Sequence, residues 1–446
     1  MIFERIVTED LMHYSYFVAD EGRAMVVDPR LDFGIYLTLA EKHQVRITGI
    51  FETHRNEDML SGAAALGEVT GAPVFVSCHE DLPYEYGEKI GAGDSWALSP
   101  AIEVIPLHTP GHTLGHMSYA LRVEEDPYLV FTGDCLFYGG VGRTDFYGSE
   151  RLEEMTRLQH ESIYQKLNAL GSEVLVFPAH GAGSACGDNM EDRPFSTLGY
   201  ELRHSEALAE ELEEFLAKNA AMKYKNPAFS HMERKNLTRQ GLESIALPYG
   251  NSDENAQILD IRPRESFQSQ HLAGSIHIPA GRVSYYTGWF LSQEDPITVM
   301  AGDLDPQIVR EAIYTLARQG YRYIQGILTE DALEELRVDG KGPAGIPWIS
   351  GEEYRKLSKG KTLDVRRPEE LEEDDPISDW IHIPMQELKD RVAELNGLEG
   401  EDLFILCHSG RRATVAASWL KAKTGLRPVI IEGGLQAVEA AAERDQ

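Results

Sequence analysis

Among the metal-binding residue types in the first 180 residues, four stand where strand ends or loops could gather them: His54, His112, Asp134 and His180. His54 closes the apolar run 47–53, Asp134 closes 128–133, and His180 follows 174–177, while His112 sits in the loop-forming string Thr109-Pro110-Gly111-His112-Thr113. Strand ends along one edge of a sheet converge on a shared cavity. Two imidazoles and a carboxylate gathered there, with positions left open, suit Fe(II) and O2 chemistry. A histidine at a strand end also serves packing, so spacing alone leaves both readings open. A second reactive group lies far down the chain, where the apolar run 403–406 ends in Cys407 and continues as His408-Ser409-Gly410-Arg411-Arg412. A strand, a tight loop and a helix-compatible run in that order aim backbone N–H groups and a helix N-terminus at the sulfur, stabilising an anionic sulfur and any anion bound to it. Arg411 and Arg412 add local positive charge.

The elements that must position these groups can be read from periodicity. Short apolar runs at 24–27, 47–51, 73–76, 102–105, 128–131 and 174–177 alternate with longer mixed segments, which predicts a layered α/β or α+β sandwich up to about residue 180. Residues 150–170 carry helical spacing, and Ser205 is expected to cap an amphipathic helix through Leu208, Leu212, Phe215 and Leu216. The polar stretch 223–241 reads as a connection between domains. The remainder is an internal repeat at an offset of roughly 105 residues. Leu259-Asp260-Ile261-Arg262 answers Leu363-Asp364-Val365-Arg366, Ile276-His277-Ile278-Pro279 answers Ile381-His382-Ile383-Pro384, and the run 297–301 answers 403–407. Ala301 then stands where the later copy has Cys407, so thiol chemistry exists in one copy.

The string Thr53-His54-Arg55-Asn56-Glu57-Asp58-Met59 resembles an altered form of the metallo-β-lactamase signature T-H-x-H-x-D-H, and Pro110-Gly111-His112 and Gly133-Asp134 resemble its later ligand motifs. Asn56 and Met59 replace two histidines that binuclear hydrolases of this fold use. The ligands that remain, His54, His112 and Asp134, match the mononuclear iron site of the persulfide dioxygenase branch, and Gly142-Arg143-Thr144-Asp145-Phe146 resembles a motif of that branch. The resemblance implies one Fe(II) per chain and oxidation of a small thiol persulfide by O2 to sulfite. It surrounds the metal with Asp58, His180, Arg143 and Asp145 as hydrogen-bonding supports or substrate contacts. Cys186, in the Gly-rich segment after His180, is a candidate sulfur relay, whereas His108 and His116 read as structural, and Cys78 and Cys135 as buried thiols. The Cys407 loop with its flanking segments resembles rhodanese sulfurtransferases, in which the cysteine carries sulfane sulfur as a persulfide, with thiosulfate formed or used. One departure is the acidic run 369–375, where rhodaneses often have a Gly-His-Ile-Pro-Gly stretch.

The expected architecture is a metallo-β-lactamase αββα sandwich with a helical extension over 1–242, a rhodanese-like domain without a thiol over 243–345, and a rhodanese sulfurtransferase domain with a parallel sheet over 346–446. Across 446 residues, 42 Lys and Arg face 73 Asp and Glu, a formal charge of -31 that repels phosphate backbones and anionic membranes. Nucleic acid and membrane are therefore not expected partners. Four well-separated cysteines, with no C-x-x-C pair, and no secretory or membrane-spanning segment predict a cytoplasmic protein with reduced thiols. Assembly as a homo-oligomer is expected. Two competing functions are a glyoxalase II-like thioester hydrolase with a rhodanese tail and a persulfide sensor that binds without turnover.

Overall fold

Alternation along the strand His13–Asp20 sets the plan of the first half of the molecule. Tyr14, Tyr16 and Val18 pack into one buried cluster, and Phe17 and Ala19 into another on the opposite face. Successive side chains of a strand point to opposite faces, so a strand apolar on both must be covered on both. Arg23–Val27 repeats the pattern, with Met25 and Val27 on one side and Ala24 and Val26 on the other.

The computed structural model describes residues 1–184, 186–187, 190–222, 225–240, 255–338, 344–357, 360–371 and 380–444. The chain divides into two compact units, residues 1–244 with 317–320, and residues 245–316 with 321–446. In the first unit, one six-stranded sheet runs in the order Ile2–Thr8, His13–Asp20, Arg23–Val27, Arg46–Phe51, Val74–Ser77, Glu88–Ile90. The other runs Ser196–Thr197, Leu175–Pro178, Asp126–Gly133, Met117–Val123, Ile102–His108, Trp96–Ser99. Their facing surfaces share a core that includes Val27, Phe51, Val104, Tyr119, Leu121 and Phe131. The helices Gly34–His43 and Ala63–Thr70 cover the first sheet, and Leu152–Glu161 with the π turn Ser162–Leu167 covers the second. This is the expected αββα sandwich.

Three local expectations are corrected. Ser205 does not cap the next helix: it closes Leu198–His204, and the following helix is only Leu212–Asn219. The intervening turn is held instead by side chains of that helix, as Lys218 and Asn219 donate to the carbonyls of Leu208 and Ala207. The polar stretch after residue 223 is not simply a connection. Within it Asn226 caps the turn Pro227–His231, and buried Asn236 donates to the carbonyls of Asn56 and Met59 and accepts from the Ser61 amide. Cys78 is exposed rather than buried, because its strand ends at Ser77.

The second unit holds two parallel sheets, ordered Ile276–His277, Gln257–Asp260, Ile297–Met300, Ile324–Leu328, and Trp348–Ser350, Arg427–Glu432, Asp402–Leu406, Lys361–Asp364, Trp380–His382. The sequence repeat reappears as repeated hydrogen bonding. Arg262 folds back on Asp260 at 2.8 Å and Arg366 on Asp364 at 2.8 Å, while the rings of His277 and His382 each donate to the carbonyl of that arginine at 2.9 Å. The expected boundary at 242/243 and residues 372–375 of the acidic run lie outside the described residues. Among the described residues no helix is long and apolar enough to cross a membrane.

Candidate metal centre and sulfur-transfer loop

Each predicted metal-site residue in the first unit follows the C-terminal end of a strand: His54 after Arg46–Phe51, His112 after Ile102–His108, Asp134 after Asp126–Gly133 and His180 after Leu175–Pro178. All four are buried. His54, His112 and Asp134 converge, with Asp134 Oδ2 3.5 Å from His112 Nε2 and 3.8 Å from His54 Nε2.

The tautomers of both histidines follow from their outer hydrogen bonds. Thr53 Oγ1 donates to Asp28 Oδ2 at 2.8 Å and so accepts from His54 Nδ1 at 2.9 Å. His112 Nδ1 donates to the Arg143 carbonyl at 2.8 Å. In the neutral form that metal binding requires, each ring therefore turns the lone pair of Nε2 inward, which is how metal-binding histidines are oriented. His54 Nε2 and Asp134 Oδ2 are buried and lack a hydrogen-bond partner. Orphaned polar atoms of this kind are costly, and a divalent ion with donors about 2.1 Å away would satisfy both. The residues present fit a metal ion.

A residue that the sequence reading passed over joins this group. Glu57 places a carboxylate oxygen 3.2 Å from His112 Nε2 and 3.5 Å from His54 Nε2, so four donor side chains rather than three meet at one point. Its only signal in sequence is a carboxylate three residues after His54, in a segment that forms neither helix nor strand and so has no periodicity to aim it.

His180 does not face this point. Its Nδ1 lies 2.7 Å from Asp134 Oδ1 and its Nε2 2.9 Å from Asp58 Oδ2. Burial opposes its charged form, but the Asp134 carboxylate, followed by Cys186 and Asp58, holds the ring well above the usual histidine range. Cys186 lies beside it, with Sγ 3.4 Å from Glu57 Oε1 and 4.0 Å from His180 Nε2, and burial pushes that thiol well up. Arg143 and Asp145 form a buried two-pronged pair at 2.6 and 2.7 Å, fixing the segment whose carbonyl holds His112. His116 accepts from the Asp134 amide and meets Thr109 Oγ1, and His108 meets the Leu114 carbonyl, so both brace the ligand loop.

In the second unit Cys407 follows the strand Asp402–Leu406 and precedes the helix Arg411–Lys423. The Gly410 amide donates to Cys407 Sγ at 3.1 Å, and Gly410 adopts a left-handed φ of 83°. His408 is held by Gln436 at 3.0 Å, and Arg411 is exposed. Arg412 does not stand free as an anion receptor: both its terminal nitrogens meet Glu370 at 2.5 Å. Arg264, from the preceding repeat, pairs with Glu432 at 2.7 Å close to this loop. In that preceding repeat Ala301 is buried and Arg262 meets Glu330 at 2.8 Å, so a carboxylate closes the corresponding loop.

Comparison with curated proteins gives relatives named as hydrolases. Cytoplasmic hydroxyacylglutathione hydrolase of Arabidopsis thaliana is 33% identical over 171 residues, covering 38% of this chain and 63% of that protein. Hydroxyacylglutathione hydrolase of Pseudomonas aeruginosa strain LESB58 is 35% identical over 167 residues, covering 36% and 58%. The chain thus spans less than two thirds of the length of both. A crystal structure of a metallo-beta-lactamase from Staphylococcus aureus superposes with a TM-score of 0.67 at 28% identity, over 74% of this chain and 98% of that one. Residues 8–180 match the metallo-beta-lactamase superfamily and residues 350–441 the rhodanese-like domain. The chain is therefore a metallo-β-lactamase-superfamily domain followed by a rhodanese-like domain.

Proposed function

We propose that the first unit oxidises a low-molecular-weight thiol persulfide at one iron(II) ion held by His54, His112 and Asp134, and that Cys407 moves sulfane sulfur between the persulfide and sulfite pools. The observation that carries this reading is the asymmetry of the donor sets. One set has two imidazoles with inward lone pairs and an orphaned carboxylate oxygen. At the positions where a hydrolase of this fold would complete a second set stand Asn56, whose buried side chain has no partner, and the fully buried Met59.

The balanced reaction is R–S–SH + O2 + H2O → R–SH + SO3²⁻ + 2 H⁺. The outer sulfur loses four electrons and dioxygen accepts them, while the S–S bond breaks and the thiol leaves. Iron supplies the electronic route that lets dioxygen react with a sulfur anion. The chain's own residues do the rest. Thr53 and the Arg143 carbonyl fix the two rings, Asp134 is steadied by His180, and the buried walls exclude water. Arg143 and Asp145 order the substrate side of the ligand loop, Asp58 anchors His180, and Cys186 is the thiol placed to carry sulfur beside the centre. At the second site the Cys407 thiolate attacks the sulfane sulfur of thiosulfate, forming Cys407–S–S⁻ and releasing sulfite, or runs the reverse. The backbone of His408, Ser409 and Gly410 receives the anion there, with Arg411 at its rim and Arg412 anchoring the loop to Glu370.

Hydrolysis of an acyl-glutathione thioester is the second reading, and the curated relatives favour it. It requires a water activated by metal. Protein stripped of iron and loaded with zinc separates the two. Loss of persulfide oxidation without gain of thioester hydrolysis supports the dioxygenase, and full thioester turnover with zinc overturns it.

A further inference from the structure

We infer that Glu57 is a fourth protein ligand, so that the metal is held by two histidines and two carboxylates. The inference rests on the part of the proposed function that puts a metal at His54, His112 and Asp134, and is independent of which substrate is turned over.

The argument is one of protons and lone pairs. His54 gives its Nδ1 hydrogen to Thr53 and His112 gives its own to the Arg143 carbonyl. With those bonds made, neither ring in its neutral form has a hydrogen left at Nε2. Yet Glu57 lies 3.2 Å from one Nε2 and 3.5 Å from the other, and Asp134 Oδ2 lies 3.5 and 3.8 Å from the same two atoms. Four lone-pair donors thus face one another in a buried space. A hydrogen bond from His112 Nε2 to Glu57 would need an extra proton on that ring, and with it made His54 Nε2 and Asp134 Oδ2 still lack partners. One divalent cation satisfies all four at once. Donors about 2.1 Å from an ion lie roughly 3 to 3.5 Å apart at octahedral or tetrahedral angles; both Glu57 separations and the Asp134–His112 one fall in that range, and the Asp134–His54 one exceeds it at 3.8 Å. Glu57 is 1% exposed and cannot turn to solvent without opening the turn that also carries His54.

The consequence is chemical. Two carboxylates cancel the ion's double charge, so an anionic substrate meets an electrically neutral centre. A six-coordinate ion with four protein ligands keeps two open positions, as many as one dioxygen and one sulfur anion need, where three ligands would leave a third for water.

The test uses full-length protein stripped of metal and titrated with Co(II), read by visible absorption. For Glu57→Gln and Glu57→Ala we expect affinity at least ~10-fold weaker than wild type and altered cobalt bands, with His112→Ala as the control for loss of an accepted ligand. Wild-type affinity and spectrum in both Glu57 variants, with His112→Ala impaired, would overturn the role of Glu57 alone. Failure of the wild-type chain to take up cobalt would overturn the metal site with it. Should the variants not fold, the count of exchangeable waters on the wild-type Mn(II) protein, from ¹⁷O-water broadening of its spin resonance, decides: two supports four protein ligands, and three contradicts them.

Discussion

Thr53 touches no ion in the proposed centre, yet its hydroxyl, bonded at once to Asp28 and to His54 Nδ1, decides which nitrogen of His54 faces inward. Thr53→Val keeps the shape and removes that bond. Such outer partners are worth roughly 10–100-fold in metal affinity, and competition against a chelator should show a loss of that size, whereas unchanged affinity would remove Thr53 from the account. A different charge governs the Cys407 loop. Burial opposes ionisation of Glu370, but its pair with Arg412 outweighs this and brings its pKa down to about 2. Because the folded value lies below the unfolded one, the stabilisation is complete above the ordinary carboxylate pKa and is lost as pH falls toward about 2. The stability difference between wild type and Glu370→Gln, measured by denaturant titration, should therefore shrink between pH ~6 and pH ~3; a constant difference would contradict the pairing. At this scale His54, Asp134 and Cys407 were legible because each stands at the end of an apolar run, and His112 because it sits in a loop-forming Thr-Pro-Gly-His-Thr string. Glu57 and Asn236 were not, since their roles depend on how turns fold back, and Asn236 sits in a polar string that reads as a linker.

The elements show why strand ends were informative and helix starts less so. Every apolar run singled out from 24–27 to 174–177 became a strand, because burial on both faces leaves a continuous apolar signature. The strand Met117–Val123 has the same buried neighbours but is broken in sequence by Ser118 and Arg122, which hides it. Ser205 misled because a capping residue type also suits a turn after a helix. The repeat was legible through Asp260–Arg262 and Asp364–Arg366, whose matching ion pairs tie the end of a central strand in both sheets. The loop after Cys407 depends on a further element. A Cβ on Gly434, which has φ of 60°, would fall 2.1 Å from the Cys407 carbonyl oxygen. Gly434→Ala should displace the loop, lowering stability by ~1–3 kcal/mol and sulfur transfer more steeply, as read by thermal unfolding and a thiosulfate-to-cyanide assay. Full activity in that variant would show that the approach of the two segments is dispensable.

At the scale of the whole molecule, a formal charge of -31 works against every anionic substrate proposed, so capture must be local, through metal, backbone N–H groups and the loop arginines. On the proposed reading the chain carries two chemistries with separable groups. Cys407→Ser should abolish sulfur transfer while leaving oxygen consumption by the first unit largely intact, and undiminished thiosulfate formation would refute the role of the thiol. The curated relatives are named hydroxyacylglutathione hydrolases, whereas here Asn56 and Met59 stand at two positions of the second donor set, beside the remaining donors Asp58, His180 and Cys186. The hydrolytic and oxidative readings part at this point. Oxygen uptake decides between these directly. Full-length protein purified without air, loaded with iron(II) and given glutathione persulfide as probe should consume one O2 for each sulfite formed, consume none without persulfide, and lose this activity in His112→Ala. No uptake by the iron-loaded chain, together with rapid acyl-glutathione hydrolysis by the zinc-loaded chain, would contradict the account.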